Sequence, residues 1–166
     1  MAWTAPKTWT AEVLTSSDLN THLRDNLLAL KDPPDNFYDI YNATDLTFTT
    51  TSFADLDSTN LSLAVTSFGG DLLVTFMADV TQSAGVAYFS FDLDGVTVNS
   101  ANDGIGRSET AAANIIFVSW WFRGVAAGAH TIKVKCKVST GTLTVYRGQA
   151  SANNRVEGLF AVREVS

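Results

Sequence analysis

Cysteine is almost missing from this chain: among 166 residues there is one, Cys136. A single thiol excludes an internal disulfide and a cysteine cage for a metal. It falls at the same alternate positions as Ile132 and Val134 and reads as a small buried hydrophobe. Histidine is nearly as scarce, with only His22 and His130. His22 falls on the polar side of a helix and His130 at a strand start, and neither stands in an HxH, HxxxH or HExxH spacing, so no metal site is expected. No serine sits in a G-x-S-x-G elbow and the lone cysteine has no evident partner, so no catalytic residue is named and no enzyme is expected. A glycan-cleaving activity would need paired carboxylates in one cleft, and nothing in the sequence pairs them. No cofactor is expected. Nor is there an apolar run long enough to cross a bilayer, and MAWTAPKTWT lacks the apolar stretch of a signal peptide, so neither membrane insertion nor export is expected.

Charge is also in short supply. Charged residues make up 17% of the chain, against about 25% in ordinary soluble domains. The net charge is −6 with eleven Lys and Arg residues spread through the chain, whereas phosphate binding needs clustered positive charge. The one basic row, Lys133, Lys135 and Lys137, alternates with Ile132, Val134 and Cys136. It reads as the solvated face of a strand, where lysines also discourage edge pairing, and no nucleic-acid partner is expected. What the chain does have is 46% hydrophobic and 11% aromatic residues, ample for one packed core. Much apolar material and little charge suit a protein that buries more surface than its own fold requires, as a subunit of an assembly does.

The only stretch with helical periodicity is VLTSSDLNTHLRDNLLALKDPP, residues 13–34. Thr15 and Asp18 stand at capping-box spacing, flanked by Leu14 and Leu19 as a hydrophobic staple. Leu19, Leu23, Leu27 and Leu30 follow at three- and four-residue steps on one face, and Pro33-Pro34 ends the helix. A helix of about four turns is marginal alone in water, so these leucines need cover, and other copies of the chain are the favoured source. Before the helix, Trp3 and Trp9 lie in a terminal arm with no core of its own. They either fold back on their own domain or anchor on a neighbouring subunit, as large aromatics do at interfaces. The expected organisation is therefore residues 1–34 as an arm and helix for docking and oligomerisation, residues 35–44 as an apolar-rich linker, and residues 45–166 as a β domain.

From Leu46 the period changes to two. Leu61, Leu63 and Val65 alternate with polar partners, as do Leu72, Val74, Phe76, Ala78 and Val80, then Phe89, Phe91 and Leu93. Asp94-Gly95 reads as a hairpin turn, and residues 99–113 as a long polar loop. NIIFVSWWFRGV is apolar on both faces, which fits a central strand or one covered by a second subunit. Roughly eight to ten short strands separated by turns predict a mainly β fold, an antiparallel β-sandwich or jelly roll, behind one α-helix. Asp92-Leu93-Asp94-Gly95 also has the opening of a calcium loop, but the terminal Glu is missing and the hairpin reading outweighs it. Trp120, Trp121 and Tyr146 are candidates for a glycan platform. Neighbouring strand residues face opposite ways, so only one of the two tryptophans can serve, and Trp120 with Tyr146 is the pair named.

The arm and helix, with Trp9, Leu14, Thr15, Asp18, Leu19 and Asn20 followed by Asn26 and Leu27, resemble the opening of small phage and prophage virion proteins. There a tryptophan-bearing arm leads into an LT-x-x-D-L-N helix and a β-rich domain. GAHTIKVKCKV and RVEGLFAVREV are similar to the closing strands of jelly-roll heads in phage fibres and related trimeric modules. The resemblance covers both ends and is loose between them. It implies a homotrimeric virion structural protein, assembled in the host cytoplasm and displayed on the particle surface. The N-terminal segment would attach to capsid or tail proteins, with the β domain facing outward for host attachment. No repetitive shaft separates helix from head, which favours a squat capsid decoration, head fibre or short tail fibre over an extended one. The alternative is a carbohydrate-binding or host-receptor-binding jelly-roll module.

Overall fold

The computed structural model describes residues 13, 15–40, 44–109, 111–147 and 158–165; Trp3, Trp9 and Leu14 lie outside them. The helix begins where its cap predicts. The Asp18 amide donates to Thr15 Oγ1 at 3.1 Å, and Asp18 Oδ2 accepts from the Thr15 amide at 3.2 Å, completing the capping box. The helix is not uniform: α1 (Ser16–Leu19) passes into a π-helical stretch (Asn20–Asp25) and then α2 (Asn26–Lys31). Leucine spacing alone does not distinguish such an interruption from a continuous α-helix.

After the helix the regular structure of the described residues is β, and every strand pairing among them is antiparallel. The strands are β1 (Asp35–Ile40), β2 (Leu46–Phe48), β3 (Ala54–Asp55), β4 (Ser62–Ser67), β5 (Asp71–Gln82), β6 (Ala87–Leu93), β7 (Val96–Thr97), β8 (Gly106–Ser108), β9 (Asn114–Phe122), β10 (Gly128–Val138), β11 (Leu143–Tyr146) and β12 (Gly158–Val165). Residues 35–40, expected as linker, are instead a full edge strand. Phe37 and Tyr38 pair across to Ala161 and Phe160 of β12, a contact whose partner is far away in sequence.

Two sheets result, each built on one long strand. β5 takes β9 along one edge, while β12 and β11 share the other edge end to end and are followed outward by β1 and β2. β10 takes β6 along one edge, with β4 and β3 sharing the other; beyond β6 lie β7 and β8. β10 is thus interior to its sheet, so its lysines guard no edge. β9, with its apolar residues on both faces, is not a central strand: β5 is its one ladder partner among the described residues.

The sheets stack face to face as a sandwich over a single core. Phe76 of β5 meets Phe89 of β6 with ring centroids 5.9 Å apart, and Phe160 of β12 stacks on Phe91 at 6.3 Å. The inward residues follow the two-residue alternation of the strands: Leu72, Val74, Phe76, Ala78 and Val80 on β5, and Ile132, Val134, Cys136 and Val138 on β10, all buried. Asn36 Nδ2 donates to the Ala64 carbonyl at 2.8 Å, tying β1 to β4. Ser108 Oγ donates to Asn114 Oδ1 at 3.2 Å, tying β8 to β9. These links join the two sheets at both flanks.

Candidate interaction surface

The two outer faces of the sandwich differ sharply in chemistry. On the β10 sheet the outward side chains are Lys133, Lys135 and Lys137, set beside Asp55 of β3, and Ser90 and Asp92 of β6. Lys133 Nζ lies 2.9 Å from Asp55 Oδ2, and Lys135 pairs with the other oxygen of that carboxylate. Lys137 reaches Asp103 at 3.0 Å and lies over the Tyr88 and Phe53 rings. Burial alone would raise the Asp55 carboxyl; hydrogen bonds from Lys135 and Lys133 outweigh that and hold it below the usual carboxylate range. This face is polar, as the lysine row predicts, but not freely solvated: each lysine is part-buried and met by a neighbour in the same chain.

The hollow on this side is lined by Asp92, Asp94, Gly95, Thr97, Thr131, Lys133 and Lys135. Its carboxylates serve the hairpin. Asp92 accepts from the Gly95 amide at 2.8 Å and from Thr97 Oγ1 at 2.9 Å, and Asp94 accepts from the Thr131 amide at 2.8 Å. Asp94 and Gly95 have φ of 51° and 89°, the left-handed pair of a primed hairpin turn. Among the described residues no group of three or more His, Cys, Asp or Glu could hold a metal ion. His130 Nδ1 lies 2.6 Å from Asp94 Oδ2 and Nε2 lies 2.8 Å from the Ala126 carbonyl. Acceptors on both nitrogens favour the imidazolium; the Asp94 hydrogen bond, then that to Ala126, raises the His130 pKa. His130 therefore ties the hairpin turn to the start of β10.

The outer face of the β5 sheet carries most of the exposed apolar residues of the sandwich. The register aligns its outward residues in rows across the strands: Ile115 with Asp79 and Tyr146; Phe117 with Met77, Leu159 and Asp39; Ser119 with Thr75, Ala161 and Phe37; Trp121 with Leu73, Arg163 and Asp35. Phe37 is 62% exposed, Phe117 64%, Ile115 53% and Trp121 39%. Leu73, Met77, Leu159 and Ala161 lie half-buried among them. On the helix, Leu19, Leu23, Leu27 and Leu30 are 42%, 49%, 59% and 54% exposed. The described fold thus leaves the whole leucine stripe open to solvent, alongside a second apolar surface on the sandwich. Periodicity identified the first of these. The second was visible only as the two-sided apolarity of one strand, because its other half comes from β5, β12 and β1.

The named aromatic pair is not brought together. Trp120 stands opposite Val74 in register and packs against the core, whereas Tyr146 stands opposite Asp79 on the outer face, its hydroxyl 3.1 Å from Thr81 Oγ1. They occupy opposite faces of one sheet and form no common platform.

Sequence reasoning also missed three buried polar anchors. Glu164 points into the sandwich from β12, accepting from the Phe68 amide at 2.8 Å and Ser67 Oγ at 3.2 Å. Gln82 Nε2 donates to the carbonyls of Ala84 and Thr140 at 2.6 and 2.7 Å, clamping the β5–β6 and β10–β11 turns together. Arg147, buried at the end of β11, pairs with Asp57 in the β3–β4 connection. Each partner lies on a segment distant in sequence or in an irregular turn, so no spacing announces it.

No protein-family model and no curated protein sequence matches the chain. Among solved structures, it is similar to the VP2 subviral particle protein of infectious bursal disease virus, with a TM-score of 0.39 and 13% identity over 81% of this chain. The protein of the Gt strain of that virus gives 0.40 and 16% over 81%. In both cases the match spans 38% of the viral chain. Latent PorU of Porphyromonas gingivalis gives a TM-score of 0.32 at 11% identity, over 78% of this chain and 13% of that one. No helix among the described residues is long and apolar enough to cross a membrane.

Proposed function

We propose that this chain is a non-enzymatic structural protein of a phage particle. In this reading it is a homotrimeric component of the particle surface, a capsid decoration, head fibre or short tail fibre. The arm and helix hold it to capsid or tail proteins, with Trp3, Trp9 and Leu14 joining the leucine stripe at that junction. The observation that carries the reading is the stripe itself. Four leucines at helical spacing remain between 42% and 59% exposed, on a helix whose cap is fully formed. Since each is already about half covered, completing their burial by assembly would contribute on the order of 1 kcal/mol per leucine. The likeness of the arm and helix to phage virion proteins gives the partner class.

Light scattering on the full chain at micromolar concentration should give three times the 17.8 kDa mass of one chain, and the double variant L23D/L27D should lose both that mass and attachment to particles. A wild-type monomer across the micromolar range would refute the assembly, and attachment retained by the double variant would refute the helix as anchor.

A further inference from the structure

We propose that the outer face of the β5 sheet is the surface through which the sandwiches of neighbouring copies of this chain pack on one another. The inference rests on the assembly reading above and adds a surface which that reading does not require. Helices could join copies and leave their heads apart.

Three observations select a second copy as the occupant. The first is where the greasy residues stand. β9 lies at the margin of its sheet, where soluble proteins usually place charge or proline to discourage association. Here its outward residues include Ile115, Phe117 and Trp121, all exposed. The other flank of the same face ends in exposed Phe37 on β1, so the apolar surface runs across the sheet from β9 to β1.

The second is charge. A chain of net charge −6 repels its own copies unless the contact itself is neutral or carries both signs. Apart from Asp79, which is buried beside Ile115 and Tyr146, the middle of this face around Thr75, Met77 and Ala161 is uncharged, and its rim has both signs: Asp35 stands opposite Arg163 in register, Arg123 pairs with Asp71, and Asp39 stands at the β1 margin. Such a rim can meet itself in another copy. The opposite face of the sandwich satisfies its lysines internally and has no comparable apolar expanse.

The third is extent. Aromatic side chains cover about 150–250 Å² each, so the four most exposed residues leave on the order of 400 Å² uncovered. Half-buried Leu73, Met77 and Leu159 and the polar rim extend it towards the ~800 Å² that each partner of a standard interface buries.

The test uses the full chain and sedimentation across the micromolar range. F117D combined with F37D should weaken association at least 100-fold while leaving the melting of the sandwich in place, since both side chains project into solvent. If these variants assemble like wild type while L23D/L27D dissociates, the inference is wrong and the helix-based assembly stands. A wild-type chain that stays monomeric removes both. If assembly is unchanged but F117D/F37D loses particle attachment, a different virion protein covers the face and the inference is again wrong. Should the double variant fail to fold, F117C decides. Cys136 is buried, so the new thiol is the reporter. Maleimide labelling slowed at least tenfold in the assembled protein relative to dilute monomer supports the contact, and equal rates overturn it.

Discussion

The Asp57–Arg147 pair shows how a single buried contact can secure one end of this sandwich. Asp57 accepts from the Asn60 and Thr59 amides at 3.0 and 2.9 Å, from Asn60 Nδ2 at 2.9 Å, and from the Arg147 guanidinium. Burial by itself would raise the carboxyl; hydrogen bonds from Asn60, Thr59 and Arg147 outweigh it and bring the pKa from 3.8 down to about 2. A carboxyl whose folded value lies below its unfolded one contributes stability that is complete above the unfolded value and is lost as pH falls through the folded one. The protein should therefore lose stability as pH drops from about 4 towards 2, and in D57A this part of the acid profile should flatten. At neutral pH D57A leaves a buried guanidinium without its counterion and should cost about 3–5 kcal/mol, measured by urea unfolding. None of this was legible in the sequence. Asp57 sits in a polar connection like several others, and Arg147 follows a strand ninety residues away.

Elements fared better where their signal is local. The Thr15–Asp18 box and the Asp94-Gly95 turn depend on residues within three positions of one another, and both formed as their spacing predicts. Gly95 has φ of 89° with open space around its Cβ position, so G95A tests conformation alone. It should destabilise the β6–β7 hairpin by about 1–2 kcal/mol, read as a lower melting temperature with the core intact. Elements whose identity depends on distant partners were misread. Asp35–Ile40 follows two prolines and carries only three apolar or aromatic residues, two of them adjacent, and β12, which makes it a strand, comes at the other end of the chain. β9 shows the same limit. Apolarity on both faces describes a strand between two neighbours in a sheet and equally an edge strand whose outer face is meant for another molecule. Lys133, Lys135 and Lys137 were placed correctly on an outer face, yet no pattern in β10 reveals that β6, β4 and β3 flank it. The fold class followed from alternation, which is a property of each strand. The candidate surface did not, because it is a property of several strands set side by side.

At the scale of the whole molecule, one core serves both sheets. Phe76 and Phe160 from one sheet interleave with Phe89 and Phe91 from the other, and the two flanks are stitched by Asn36 and Ser108. Among the described residues each sheet buries its inner face only against the other, so neither should survive alone. Urea unfolding of the sandwich, studied in an assembly-deficient variant such as L23D/L27D, should be one cooperative transition in which far-UV and near-UV signals coincide. Separated transitions would mean that the two sheets are independent units.

The β1–β12 ladder has a mechanical consequence. The helix passes into β1 through residues 32–34, and β1 is held to β12 by a continuous register from Asp35 opposite Arg163 to Ile40 opposite Gly158. Hydrogen bonds in an antiparallel pair lie across the strands, so tension entering from the helix along the axis of β1 loads the ladder in shear. Its rungs then resist together instead of peeling one by one, and the pull is handed on through β12 to β5 at the centre of the sheet.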